Sequence, residues 1–173
     1  MSARIHDREQ REWRRRMVGK TTLMRYQRIK RKLRREKFLK TAGWAVKRLV
    51  RLRGGVERLE VVRGRRFQVR REDRRCLVCD GREVEDEEHF IDRCAALTTE
   101  RNEMWGKIGD VLMCPHKLRM IREMNEEQRV DWVLGTEFDL GHWKFPKLQG
   151  AIIQGLKELW AGRGRPGLRD ACL

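Results

Sequence analysis

Apolar residues recur every three or four positions along most of this chain, and in one stretch the pattern tightens toward alternation. Residues 4–17 and 21–40 read as two strongly basic helices. Thr21 or Thr22 is placed to cap the second, along which Leu23, Tyr26, Ile29, Leu33 and Phe38 fall at roughly helical spacing. A third, short helix is predicted over 42–53, with Trp44, Leu49, Val50 and Leu52 apolar and Gly54-Gly55 as its stop. Residues 56–70 are the exception. There Val56, Leu59, Val61, Val62, Phe67 and Val69 are separated by charged residues and Gly64, which predicts short strands or a hairpin.

Helical spacing returns further on. A helix of about fifteen residues is predicted from Thr98 or Thr99, with Met104, Trp105, Ile108, Val111 and Leu112 on one stripe. Cys114-Pro115 breaks it. Leu118, Met120, Ile121 and Met124 mark one short segment, and Val130, Trp132, Val133 and Leu134 another that ends at Gly135. Phe138, Leu140, Trp143 and Phe145 form an aromatic loop before Pro146. The last helix is predicted over 147–161, with Leu148, Ile152, Leu156, Leu159 and Trp160 inward, and Gly162–Gly167 opens a flexible basic tail. The tryptophans fall at core spacing, which favours packing over stacking on bases.

Charge divides the chain. Residues 1–75 hold 28 Lys and Arg against 8 Asp and Glu, whereas residues 76–173 hold 14 against 18. Charged residues are 39% of the total and the mean hydropathy is −0.79, so the core is modest. A basic half beside a mildly acidic one points to a polyanion as partner. Arg31, Lys32, Arg34, Arg35, Lys37 and Lys40 have only Glu36 near them, too one-sided for a merely solvated face. No run of about eighteen apolar residues occurs, and Met1–Arg16 lacks a signal-peptide core. The expected setting is therefore intracellular, nucleus or cytoplasm, neither secreted nor bound to a membrane. An odd count of five cysteines argues for a reducing compartment rather than a disulfide framework.

Three of those cysteines stand together with a histidine. Cys76, Cys79, His89 and Cys94 read as Cys-x2-Cys-x9-His-x4-Cys, a complete four-coordinate set for one structural zinc. The other reading is two unrelated pairs of buried residues. Asp86-Glu87-Glu88 in the first turn of the His-x4-Cys segment suit a helix N-terminus. Residues five apart do not share a helical face, so Cys94 is expected where that helix ends or bends. Cys114 and His116 lack nearby partners for a second site, and Cys172 is a spare thiol. Gly19-Lys20-Thr21 is no phosphate loop, because Arg14 stands where its first glycine belongs.

The residues Arg71–Cys79 with Val84–Cys94, followed by Glu100-Arg101 and Met104-Trp105, resemble the zinc segment near the C-terminus of non-LTR retrotransposon reverse transcriptases. Residues 71–105 carry this resemblance, and the flanking helices share it less specifically. It implies Cys76, Cys79, His89 and Cys94 as zinc ligands, position for position. The family often has proline after the last cysteine, where this chain has Ala95. The paired aspartates of the polymerase are missing, since no Asp-Asp occurs. The chain thus looks like a tail without its enzyme: a separate derivative, a relic of a decayed element, or a fragment.

Together these readings predict a mostly α fold with a small β-ribbon, a zinc knuckle packed against helices. Residues 1–41 would be a basic helical arm, 42–162 the zinc-binding domain with its site at 76–94, and 163–173 a flexible tail. The expected function is a zinc-stabilised nucleic-acid-binding module that holds RNA or DNA backbone with little base specificity. Arg14, Arg15, Arg25, Arg28, Lys32, Arg35, Arg63, Arg65, Arg66, Arg70 and Arg71 would contact phosphates. A full-length reverse transcriptase is a second expected partner. The alternatives are a protein-interaction scaffold and a non-functional relic. No catalysis is expected, since four protein ligands leave zinc no open position for water.

Overall fold

The computed structural model describes residues 2–20, 23–30, 43–135 and 145–164. The described α-helices are α1 (Ser2–Met17), α2 (Met24–Ile29), α3 (Trp44–Arg53), α4 (Glu60–Arg66), α5 (Thr98–Leu112), α6 (Pro115–Glu123), α7 (Glu126–Leu134) and α8 (Phe145–Arg163). A π-helical turn, His89–Arg93, lies between α4 and α5.

The most extensive helix pair is α5 with α8. Met104, Ile108 and Leu112 of α5 and Leu148, Ile152, Leu156 and Leu159 of α8 are buried, at spacings that put each set on one stripe. Each such side chain contributes roughly 1.5–3 kcal/mol relative to exposure. Gly155 lets the two backbones approach, since a Cβ there would collide with Met104 Cγ. Leu49 and Leu52 bring α3 onto α8, and Val130, Val133 and Leu134 bring in α7. Buried Arg53 fastens α3 to the end of α7, donating to the carbonyls of Leu134 and, at 2.9 Å, of Gly135.

Much of the predicted order is present. The stop at Gly54-Gly55, the fifteen-residue α5 from Thr98, and the break at Cys114-Pro115 all stand, with Pro115 opening α6. Gly135 follows α7 as expected. Helix α8 runs further than predicted and takes in Gly162 and Arg163; the rest of the predicted tail, from residue 165, lies outside the described residues. The long second helix is described only as α2; Thr21, Thr22 and residues 31–42 lie outside the described residues, as does the aromatic loop from Phe138 to Trp143.

The predicted hairpin over 56–70 is a correction. Residues 60–66 form α4, and the described residues contain no strand, only an isolated antiparallel bridge between Arg75 and Val84. The reason is tertiary. The Glu85 carboxylate accepts from the Glu60 N–H at 2.9 Å and the Glu85 carbonyl accepts from Val61 N–H at 3.1 Å, so a partner 25 residues away starts this helix. No described helix is long and apolar enough to cross a membrane.

Candidate metal centre

The site is assembled by two turns. Around the first, the Cys76 N–H donates to the Glu83 carbonyl at 2.9 Å and the Glu85 N–H to the Arg74 carbonyl at 3.0 Å. These bonds close the chain back on itself and point Cys76 and Cys79 inward, with Val78 N–H 3.4 Å from Cys76 Sγ. The second turn is the π-helix. On an α-helix, five steps of 100° would leave His89 and Cys94 about 140° apart. The Cys94 N–H instead donates to the His89 carbonyl at 2.7 Å, an i to i+5 bond that widens the turn and brings both side chains to one side. Cys94 then leaves the helix with ψ 114. The expected end or bend at Cys94 is therefore a π turn followed by an exit.

The segment is held from outside. Asp86 Oδ1 accepts from the His89 N–H at 3.0 Å, capping the turn as the acidic run suggested. Arg101 donates to the carbonyls of Ile91 at 3.1 Å and Cys94 at 2.5 Å. Arg129 grips Asp92, fixing α7 to the π-helix. Phe90, beside His89, packs on Trp160 of α8 with centroids 4.5 Å apart. Arg48 of α3 lies over the same indole at 4.1 Å.

The ligand atoms of Cys76, Cys79, His89 and Cys94 all lie within 4.8 Å of one another, and all four residues are buried. Cys76 and Cys94 sulfurs are 4.0 Å apart, and Cys79 Sγ is 3.3 Å from His89 Nε2. A tetrahedral ion with metal–sulfur bonds of about 2.3 Å would need edges of about 3.8 Å, so the cluster fits one ion. His89 Nδ1 lies 3.2 Å from Glu83 Oε2. Donation from Nδ1–H to that carboxylate leaves the Nε2 lone pair for a metal.

Protonation tells the same story. The neighbouring Cys94 sulfur, with burial, pushes the Cys76 thiol up to about 12. Burial pushes the Cys79 thiol up as well. Burial opposes charge on His89, but contacts with Cys76 and Glu83 outweigh it and hold the imidazole above its ordinary value. Without a cation Cys76 and Cys79 keep their protons; a divalent cation at the cluster would replace those protons. The four residues can therefore hold a metal ion.

The basic residues are dispersed. Arg25 bridges Glu88 at 2.7 Å and Asp131 at 2.6 Å with its side chain largely covered, and Arg28 pairs with Asp131 and Glu127. These two clamp α2 to α7 and to the metal segment. Arg71 pairs with Asp86 at 3.0 Å, Arg63 with Glu60, and Arg70 with Asp73. Arg14 and Arg15 are exposed on α1, with Arg15 on Glu12. Arg65 and Arg66 are exposed, with no carboxylate partner among the described residues. Lys32 and Arg35 lie outside the described residues.

Two supporting residues went unnoticed in the sequence. Glu83 orients His89, and the need of a metal-bound imidazole for an acceptor at its second nitrogen was the available signal within the acidic run. Arg163 meets the buried Glu85 through two bonds of 2.6 and 2.8 Å, and no local pattern announces a pair 78 residues apart. Comparison with known protein families, characterised proteins and solved structures finds no match, so function has to be read from the cluster and the surface around it.

Proposed function

We propose that this chain is a zinc-stabilised nucleic-acid-binding module that grips phosphate backbone with little base preference. The observation that carries the proposal is the buried Cys76–Cys79–His89–Cys94 cluster. Three thiols and one imidazole are the ligand set of a structural zinc, and four protein ligands leave no position open for a reacting water. The role of the ion is architectural, not catalytic. It joins the turn before α5 to the π-helix, and through Phe90 and Trp160 it ties both to α3 and α8.

The charge distribution supports nucleic acid as the partner. Most of the basic surplus lies in residues 1–75. Arg25, Arg28 and Arg71 pair with carboxylates of the chain, which leaves exposed side chains such as Lys47, Arg51, Arg65 and Arg66, without carboxylate partners among the described residues, as the phosphate contacts. The resemblance of residues 71–105 to the zinc segment of non-LTR retrotransposon reverse transcriptases supports the same reading. It adds an origin: descent from the tail of such a transcriptase.

The test is binding of labelled RNA and DNA by the zinc-loaded chain across a salt series. A log-log plot falls linearly, with a slope of about −0.7 to −0.9 per phosphate neutralised. Affinity that ignores salt would overturn the proposal.

A further inference from the structure

The turn that follows α4 holds an aromatic ring in solvent. Phe67, at the C-cap of α4, is 75% exposed. Arg65 and Arg66 precede it, and Gln68 follows with φ 56, a left-handed conformation uncommon for a residue with a Cβ.

This turn is braced. The Arg74 guanidinium donates to the Val69 carbonyl at 2.9 and 2.6 Å and to the Val61 carbonyl at 3.0 Å, spanning the turn from both sides. The Val69 N–H donates to the Gly64 carbonyl at 2.9 Å. The stem of Arg74 lies so close over Gly64 that a Cβ there would meet its Cγ at 2.5 Å. Arg74 also accepts from Glu85 N–H, in the pair of bonds that sets Cys76. The backbone turn that carries the exposed ring is therefore braced against the metal-binding segment.

Its surroundings select an occupant. Arg65 and Arg66 are exposed and have no carboxylate partner among the described residues. Charge complementarity calls for a polyanion, and the ring calls for flat apolar faces. Single-stranded nucleic acid offers both. A duplex offers phosphates but keeps its base faces stacked, and an acidic peptide offers charge without the faces.

We propose that Phe67 is a stacking platform for an unpaired base of single-stranded nucleic acid, with Arg65 and Arg66 on the adjoining phosphates. This rests on the nucleic-acid reading above and adds strandedness and a specific contact. Base–aromatic stacking tolerates any sequence because every base has a π face, in keeping with little base preference.

The experiment uses the zinc-loaded full chain at fixed salt and three labelled probes: a single-stranded oligonucleotide, the same strand with abasic sites, and its duplex. Phe67→Ala should weaken single-strand binding by about 5- to 150-fold and leave the abasic strand and the duplex unchanged. Phe67→Trp should restore wild-type affinity. Arg65→Ala should weaken all three probes and reduce the salt slope by about one. Undiminished single-strand binding by Phe67→Ala overturns this inference, as does an equal loss on the abasic strand, which would mean that the ring acts through the fold. If the wild type binds with steep salt dependence while Phe67→Ala matches it, only this inference fails. If the wild type binds none of the probes, the nucleic-acid reading fails and takes the inference with it.

Discussion

His89 has two ring nitrogens with different tasks: Nε2 faces Cys79 Sγ at 3.3 Å, and Nδ1 faces Glu83 at 3.2 Å. Removing the acceptor leaves the ligand but loosens its tautomer and orientation. Glu83→Ala should therefore lower metal affinity about 10- to 100-fold while the helices remain, measured by competition with a chromophoric chelator. Acidity acts at the same residues. Metal binding must displace thiol protons, and two of those thiols are held above their ordinary values, Cys79 by burial and Cys76, at about 12, by the Cys94 sulfur and burial. Apparent affinity should therefore rise with pH. In the metal-free chain the sign reverses. The Cys76 thiol, raised to about 12, favours the folded state below its unfolded value, and that contribution fades as pH climbs toward about 12. A metal affinity indifferent to pH would rule out thiolate ligation.

The elements differ in how openly the sequence announced them. Helices α5 and α8 were legible because their burial stripes lie within single segments, Met104 to Leu112 and Leu148 to Trp160. Helix α4 was not. Val61-Val62 and Gly64 read locally as strand, whereas the groups that start and brace the helix are Glu85 and Arg74, remote in sequence. The capping box Asn125–Gln128 that opens α7 was readable from spacing alone, yet the apolar pattern drew attention to Val130 instead. Two substitutions probe these joints. Gly155→Ala should cost about 1–3 kcal/mol in chemical unfolding, because its methyl group has nowhere to go but into Met104. Arg163→Ala should cost about 3–5 kcal/mol, since it leaves the buried Glu85 carboxylate without its cation, held only by the Glu60 N–H. A neutral result for Arg163→Ala would mean that Glu85 finds another partner.

Across the whole molecule, a Cys–His cluster that can hold a metal ion and a basic surface are joined by packing. The cluster itself was legible to the residue: the four ligands named by spacing are the four whose donor atoms converge. The distribution of charge was less so. Sequence counts a guanidinium but not its neighbour, and Arg25 and Arg28 turn out to clamp α2 against Asp131. The outward cations Arg65 and Arg66 are carried by α4, whose following turn is braced to the metal segment by Arg74. Loss of the ion should therefore disturb more than the ligands. The most direct test compares zinc-loaded wild type with Cys79→Ser, titrated side by side with the same single-stranded and duplex probes. The account predicts that the variant loses zinc and keeps only weak, salt-sensitive binding without preference between the probes. Equal affinity and equal preference in both proteins would contradict it, and would leave the basic helices acting alone as a polycation.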